Sequence, residues 1–496
     1  MENKQNTPRA QWSVSPSSSG VPRPSLQILY LFKRGFYTAM RSILFHSVRR
    51  IPFRSLSTPP PNFEDPGVVF QRKSTWEIVR ALAVLRACSV NALVDNSLQL
   101  LRGMERVVGE SGLRVLLKRT LYEQFVGGEN PAELQGCMER VSCAGMRCML
   151  AATMEEDVGE GGSERVYREN CRRILEVVDM SSKGCPSPMI QLKLSGLLPA
   201  RLLVLVGDCY MEAESKLQVA EAIGEGMAGK SVQMKPFEGR LNGEDQDSLR
   251  KAVGRFKDIC ESARQKGVRI LVDAECTYLN EGLSALTLGA VAAFNSHAPV
   301  VWNTYQCYLK AADHRVQSEM GLIVKQLGAH FGAKMVRGAY MLQERQRALQ
   351  LGLPSPVCDD YSATCINYDK IVSFLLDKTG ELGPRCQFIA ATHNEHSIHL
   401  VIQKMEAKNL DRRYVCFGQL YGMCDQISNS LAEHGFAVYK SVPYGTLSEV
   451  LPYLARRAVE NKSVLAGARK EQDLLLRELR SRLLPRPLRS TAPETR

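Results

Sequence analysis

Several common sequence signatures are missing from this chain of 496 residues, and each absence argues against one class of binding site or function. No G-x-G-x-x-G fingerprint follows a candidate strand and no P-loop occurs, so the usual nucleotide-binding turns are not indicated. No run of about 18 uncharged apolar residues is present, which predicts no transmembrane helix. No Ser-His-Asp or Cys-His arrangement suggests nucleophilic catalysis. The fifteen cysteines are scattered without a C-x-x-C pair, which favours reduced, half-buried thiols over disulfides or a metal site.

The basic residues are unevenly distributed along the chain. A formal net charge of +12 is compatible with nucleic acid binding, but most of the excess lies at the two ends, and we therefore expect no nucleic acid partner. Residues 1–62 contain LQILYLFKRGFYTAMRSILF, in which apolar Ile28 and Leu31 accompany basic Lys33 and Arg34. This pattern is typical of a mitochondrial transit peptide, and a basic tail without a targeting role is the alternative. We expect a disordered basic targeting segment here.

The apolar periodicity divides the rest of the chain into three parts. Residues 63–147 have helical spacing and no strand signal, which predicts an N-terminal helical region. Within residues 148–470, eight β-like runs alternate with amphipathic helices, at 149–157, 189–197, 268–275, 300–308, 333–340, 388–395, 414–422 and 436–445. Eight such units in about 320 residues predict an α/β fold, a (β/α)8 barrel of the TIM type. Residues 471–496 are expected to form a basic C-terminal tail.

Polar residues collect at the carboxyl ends of these runs, where the loops of a barrel build an active site. The side chains are cationic or hydrogen-bonding, apart from one leucine: Lys193, Asp273, Gln306, Lys334, Arg337, Tyr340, Thr392, His393, Gln419, Leu420 and Ser441. Gly338 and Gly422 permit close approach to a flat ligand or only relieve a tight turn. Together these residues predict a pocket for an anionic, planar molecule and a small carboxylate.

Three histidines at three-residue spacing, His393, His396 and His399, raise the question of a zinc site. We favour a different interpretation, in which a strand ends at Thr-His-Asn and a helix then begins. Only His393 and Asn394 would then face the mouth of the barrel.

The segment LPYLARRAVENKSVL, residues 451–465, has the pattern of an amphipathic helix. Arg456 and Arg457 emerge beside its apolar stripe, and Glu460 lies on the same face as Arg456. Two guanidinium groups suit one small carboxylate. An ordinary ion pair on a solvated helix face is the alternative.

Six motifs in order carry a family resemblance: DAECTY, NTYQCYL, MVRGAYM, ATHNEHSI, FGQLYGMCD and VPYGTLSEVLPYLARRAVENKSVL. They resemble the proline dehydrogenase family from about residue 155 to 465. The resemblance implies a distorted barrel, non-covalent FAD at the strand ends, and hydride transfer from ring carbon 5 of a cyclic amino acid to flavin N5. It also implies reoxidation by ubiquinone and a peripheral contact with the matrix side of the mitochondrial inner membrane, for which the basic C-terminal segment is one candidate. The oligomeric state stays open.

The resemblance also implies roles for individual residues. Arg456, Arg457 and Lys193 match residues that hold the substrate carboxylate, and Glu460 matches the acid that steadies the arginine helix. Asp273, Tyr340, Leu420 and Tyr453 are expected in the substrate pocket, with Leu420 against the pyrrolidine ring. The expected flavin contacts are Gln306, Lys334, Arg337, Gly338, Thr392, His393 and Asn394.

One position departs from the proline-oxidising members, which have a tyrosine where this chain has Ser441. A phenol there would crowd a substituent at ring position 4, whereas serine removes that bulk and offers a hydroxyl. The serine resembles the hydroxyproline dehydrogenase branch and implies oxidation of trans-4-hydroxy-L-proline to 1-pyrroline-3-hydroxy-5-carboxylate. The alternatives are an L-proline dehydrogenase and, less favoured, a non-catalytic mitochondrial barrel protein.

Overall fold

The computed structural model describes residues 61–90, 97–152, 162–451, 453–455 and 465–484. The expected targeting segment, except for residues 61 and 62, lies outside these ranges. In the described part, eight parallel strands close into a barrel in sequence order, and β8 pairs with β1. The strands are β1 Arg147–Ala152, β2 Met189–Leu192, β3 Arg269–Val272, β4 Val301–Gln306, β5 Phe331–Val336, β6 Cys386–Ala391, β7 Val415–Leu420 and β8 Val438–Tyr444.

The predicted barrel and its eight strands are confirmed, with different bounds at several ends. The second run was predicted to reach residue 197, but β2 ends at Leu192 because Leu194–Gly196 form a 3-10 turn. Residues 153–157 of the first run lie outside the described part.

Helices precede the barrel and alternate with its strands. The N-terminal helices are α1 Pro66–Val69, α2 Thr75–Cys88, α3 Ser97–Leu117, α4 Glu123–Phe125 and α5 Pro131–Cys143. The later helices are α6 Glu164–Ser182, α7 Ala200–Glu212, α8 Lys216–Met227, α9 Gly243–Gln265, α10 Thr277–Phe294, α11 Ala312–Gly321, α12 Met341–Leu351, α13 Tyr361–Leu382, α14 Glu395–Ala407, α15 Asp425–Glu433 and α16 Leu465–Leu483. Single π or 3-10 turns lie at Lys118–Tyr122, Leu194–Gly196, Lys235–Phe237, Leu322–Gln326 and Gly383–Arg385, and residues 447–451 and 453–455 are also helical. None of the described helices is long and apolar enough to cross a membrane.

The amino-terminal half of the barrel interior is filled by large side chains. Trp302 is fully buried and its indole N–H donates to the Pro299 carbonyl at 2.7 Å. A Cβ at Gly332 on the neighbouring strand would lie 2.6 Å from the Trp302 ring, so the glycine makes room for the indole. The other inward members of this cluster are Met149, Met189, Leu271, Ile389, Cys416, Ala437 and Tyr439. All fifteen cysteines of the chain are free thiols.

The N-terminal and C-terminal helices pack together in a second apolar cluster. The capping box of Ser74 and Glu77 starts α2, whose Ile78 and Leu85 are buried with Leu474 and Leu475 of α16. The expected boundary between barrel and tail at residue 471 therefore falls inside a packed helix. This apolar stripe was not predicted from the sequence, because Leu474 and Leu475 stand among polar residues.

A group of four charged residues, three of them buried, lies where these helices meet β8. The Asp425 carboxylate pairs with Lys440 of β8 and with Lys73, both at 2.7 Å. Glu471 of α16 accepts the N–H groups of Cys424 and Asp425 at 2.8 and 3.1 Å, and so caps α15. We call Lys73, Asp425, Lys440 and Glu471 the ion cluster.

Candidate active site

A layer of polar side chains crosses the barrel interior above the apolar filling. Lys334 of β5 is 5% exposed, and its ammonium bonds Asp273, which directly follows β3. The same ammonium donates to Gln191 Oε1 of β2 at 3.1 Å. Gln191 Nε2 in turn donates to Ser441 Oγ of β8 at 2.8 Å. Three of the predicted site residues are thus joined in one hydrogen-bonded chain, and Gln191 links them.

Thr304 of β4 completes this layer, since it pairs in register with Lys334. Its hydroxyl is buried and has no hydrogen-bond partner in the described part of the chain. A buried hydroxyl without a partner is uncommon in proteins, because leaving it unsatisfied costs free energy. Thr304 therefore adds an unsatisfied hydroxyl to the polar layer.

Lys193 and the buried Glu275 lie together at the carboxyl ends of β2 and β3. Lys193 starts the 3-10 turn after β2, and Glu275 accepts both the N–H and the hydroxyl of Ser195 in that turn, at 3.3 and 2.8 Å. Burial raises the pKa of Glu275, while the Ser195 hydrogen bonds and the charge of Lys193 oppose the rise. Glu275 thus fixes the turn that presents Lys193.

Gln306 at the end of β4 is joined to the same group. Its Nε2 donates to the Glu275 carbonyl and its Oε1 accepts from Asn280 Nδ2, both at 2.9 Å. The predicted flavin contact is therefore held rigidly and nearly buried, with one amide hydrogen still uncommitted.

The Arg337 guanidinium lies at the N-terminus of α14. Its Nε donates to Thr392 Oγ1 at 3.2 Å, its Nη2 donates to Ser397 Oγ at 2.6 Å, and its Cζ is 4.3 Å from the centre of the Tyr368 ring. Nη1 is buried and has no hydrogen-bond partner in the described ranges. A cation with an uncommitted donor at a helix N-terminus suits a phosphate group. This arrangement fits the pyrophosphate of FAD.

The remaining predicted flavin contacts serve identifiable structural roles. Asn394 caps α14 by accepting the Ser397 N–H at 3.0 Å, and its Nδ2 donates to the Tyr361 hydroxyl at 3.0 Å. His393 Nε2 accepts the N–H of Leu420 at 3.2 Å and so joins the ends of β6 and β7. A Cβ at Gly338 would lie 2.0 Å from the buried Tyr308 ring, so packing alone accounts for this glycine.

The segment that contains the three histidines was interpreted as the end of a strand followed by a helix. This is confirmed, because β6 ends at Ala391 and α14 begins at Glu395. Their side chains diverge: His396 is exposed near Asp369, and His399 packs against Phe63 with ring centres 4.9 Å apart. No group of three potential metal ligands occurs in the described part of the chain.

The helix predicted for residues 451–465 falls only partly within the described residues. Arg456, Arg457 and Glu460 lie outside the described residues. Tyr453 is half-buried against the second apolar cluster, and Tyr340 lies half-buried at the start of α12. The binding of the substrate carboxylate by Arg456 and Arg457 thus stays a prediction.

Sequence reasoning did not single out Gln191, Thr304 or Glu275. Gln191 is two residues before Lys193, so alternation within the predicted run at 189–197 would place both side chains on one side and could have identified Gln191. Glu275 stands two residues after Asp273 in the quoted motif DAECTY. Thr304 gave no signal beyond its place in a strand.

Comparison with known proteins extends these observations. Residues 137–470 match the family described as proline dehydrogenase. The chain is 40% identical over 426 residues to a protein named hydroxyproline dehydrogenase from Xenopus laevis, covering 85% of this chain and 90% of that protein. It is 29% identical over 545 residues to one named proline dehydrogenase 1, mitochondrial, from Caenorhabditis elegans, covering 85% and 88%.

A solved structure shares the fold. Proline utilization A from Bdellovibrio bacteriovorus aligns with a TM-score of 0.58 and 18% identity, over 84% of this chain and 41% of that longer one. The resemblance inferred from the six motifs is confirmed by the family match and by the 40% identity. With its closed barrel and the polar layer at the strand ends, this chain belongs to the proline dehydrogenase family of enzymes.

Proposed function

We propose that this protein oxidises trans-4-hydroxy-L-proline to 1-pyrroline-3-hydroxy-5-carboxylate with FAD. The observation that carries the proposal is the small hydroxyl side chain of Ser441 in the polar layer, in register with Leu420 on the neighbouring strand. A serine leaves space for a substituent on the ring that Leu420 is proposed to contact, and it can hydrogen-bond that substituent. The identity to a protein named hydroxyproline dehydrogenase supports the same substrate.

The proposed chemistry is a hydride transfer. When bound, FAD would supply a two-electron acceptor for the hydride of ring carbon 5. The lone pair of the unprotonated ring nitrogen would form the C=N bond as the hydride leaves, and loss of the nitrogen proton to solvent would give the neutral imine. Lys193, Arg456 and Arg457 are proposed to hold the substrate carboxylate, which orients the ring. Glu275 holds the turn of Lys193 in place. Arg337 is proposed to hold the pyrophosphate, and Lys334, fixed by Asp273, provides a buried cation near the ring system.

A direct assay tests this proposal. The purified full-length holoenzyme is given hydroxyproline or L-proline with an artificial dye as electron acceptor. We expect a flavin absorbance spectrum and a higher kcat/KM for hydroxyproline. A higher kcat/KM for proline would favour the L-proline dehydrogenase alternative, and flavin-loaded protein without turnover of either would favour a non-catalytic barrel.

We further propose that the enzyme passes electrons to ubiquinone at the matrix side of the mitochondrial inner membrane. The end of α16 supports a peripheral contact, because Leu483 and Leu484 are 69% and 66% exposed beside the exposed Arg480. Leu483→Ser with Leu484→Ser is expected to reduce co-flotation with anionic lipid vesicles. Leu349→Ser, which changes an 82% exposed leucine on α12, is the control. Equal flotation of all three proteins would contradict a contact through α16.

A further inference from the structure

We infer that Gln191 is a positioning residue that sets the hydrogen-bond direction at Ser441, so that the serine hydroxyl donates to the oxygen at position 4 of the substrate ring. The inference rests on the proposed function and concerns its specificity. Its basis is the chain of contacts from Lys334 through Gln191 to Ser441.

The first step fixes the orientation of the Gln191 amide. A lysine ammonium has three donors and no acceptor, so the group that faces Lys334 Nζ at 3.1 Å must be the amide oxygen. The ammonium itself is held in place by its ion pair with Asp273. The amide nitrogen of Gln191 therefore faces Ser441, where it can only donate.

The second step follows from the first. Ser441 Oγ uses a lone pair to accept from Gln191 Nε2 at 2.8 Å, so its own proton cannot point along that line. In the described part of the chain, this is the one hydrogen bond that Ser441 Oγ makes. The hydroxyl proton is therefore available for another acceptor.

The third step locates the acceptor. The side chain of Lys440 points outward to Asp425 and the Met423 carbonyl, so the next residue of the strand, Ser441, points inward. The inward side is the polar layer, where Thr304 also lacks a partner in the described ranges. An oxygen on carbon 4 of the bound ring would meet a donor at Ser441, whereas proline offers no acceptor there.

The test needs a ligand that can accept but not donate. 4-Oxo-L-proline meets this requirement, because its ketone oxygen takes the place of the hydroxyl. Gln191→Glu keeps the shape of the side chain but presents an acceptor to Ser441, which turns the serine proton away from the ligand. We expect this variant to bind 4-oxo-L-proline about tenfold more weakly than the parent, relative to L-proline, with both affinities measured by flavin absorbance titration of the holoenzyme.

A double-mutant cycle separates this role from a general disturbance. In a Ser441→Ala background, Gln191→Glu should leave the ratio of the two affinities unchanged, since no hydroxyl remains to be turned. Gln191→Leu serves if the glutamate variant does not fold, and it should lower the same ratio less, because the freed hydroxyl can still rotate toward the ligand. Equal ratios in the parent and Gln191→Glu, or equal effects in both backgrounds, would overturn the inference. The outcome is independent of the dye-linked rates, which test the proposed function.

Discussion

Glu471 is the residue at which the ion cluster should make stability depend on pH near neutrality. Burial, and after it the negative charge of Asp425, raises the pKa of Glu471 from 4.5 to about 7, although two backbone N–H groups donate to it. The folded protein therefore holds a proton that the unfolded chain releases between these two values. The contribution of Glu471 to stability is then expected to fall as the pH rises from about 4.5 to about 7 and to stay level above that.

The size of the effect follows from the difference between the two pKa values. One pKa unit corresponds to about 1.4 kcal/mol, so the rise of Glu471 corresponds to roughly 3 kcal/mol in the free energy of unfolding. Asp425 does not contribute to the pH dependence of stability between about pH 4.5 and pH 7. Burial opposes its ionisation, but Lys440 and Lys73 together lower its pKa, so its contribution is lost only in acid below about pH 4.

The perturbation is Glu471→Gln, which keeps the shape of the side chain and removes the ionisation. Urea unfolding at pH 5, 6, 7 and 8, extrapolated to water, measures the free energy of unfolding. Between pH 5 and pH 8 we expect the free energy of unfolding to fall by roughly 2 to 3 kcal/mol more in the parent than in the variant. Glu478→Gln is the matched control, since Glu478 lies on the same helix but pairs with Arg482 at 2.7 Å. If the Glu471 variant keeps the slope of the parent, the reasoning about the ion cluster is wrong.

Three further predictions concern the site and its frame. Ser441→Tyr should move the ratio of kcat/KM from hydroxyproline toward proline, and an unaltered ratio would contradict the specificity argument. Arg456→Met and Arg457→Met should each raise KM for the carboxylate substrates by about tenfold or more while flavin absorbance is retained. Unchanged kinetics would contradict the proposal that these arginines bind the carboxylate. Gly422→Ala should lower stability by about 2 kcal/mol or more, because φ is +77° and the new Cβ would lie 1.9 Å from the Gln124 carbonyl oxygen. Gly239→Ala, at φ +78° with open space around it, is the control and should lower the free energy of unfolding by only about 1 kcal/mol. Urea unfolding of both glycine variants measures the difference.

The barrel was predictable because each strand carries its own signal. A buried parallel strand is a short apolar run, and the predicted run at 388–395 ends in polar residues just as the chain turns into α14. The substitution at Ser441 could also be recognised from the sequence, because the neighbouring motif residues show which family position it occupies. In each case a local stretch of sequence contains the information.

The contacts between side chains were not predictable in this way. The chain from Lys334 to Ser441 depends on which residues of β2, β5 and β8 face inward at the same height, and that is set by the stagger of the closed barrel. The burial of Glu471 depends on α16 returning to α2 and α15 from far along the sequence. The packing of Gly338 against Tyr308 was not predictable either, because Tyr308 is thirty residues away in sequence.

The alternation of β8 separates two demands on the protein at consecutive residues. Lys440 faces outward and ties the terminal helices to the barrel, whereas Ser441 faces inward and belongs to the polar layer. An exchange at position 441 therefore leaves the ion cluster untouched. Under the specificity role proposed for Ser441, a single replacement on this strand would change the substrate while the terminal helices stay attached to the barrel.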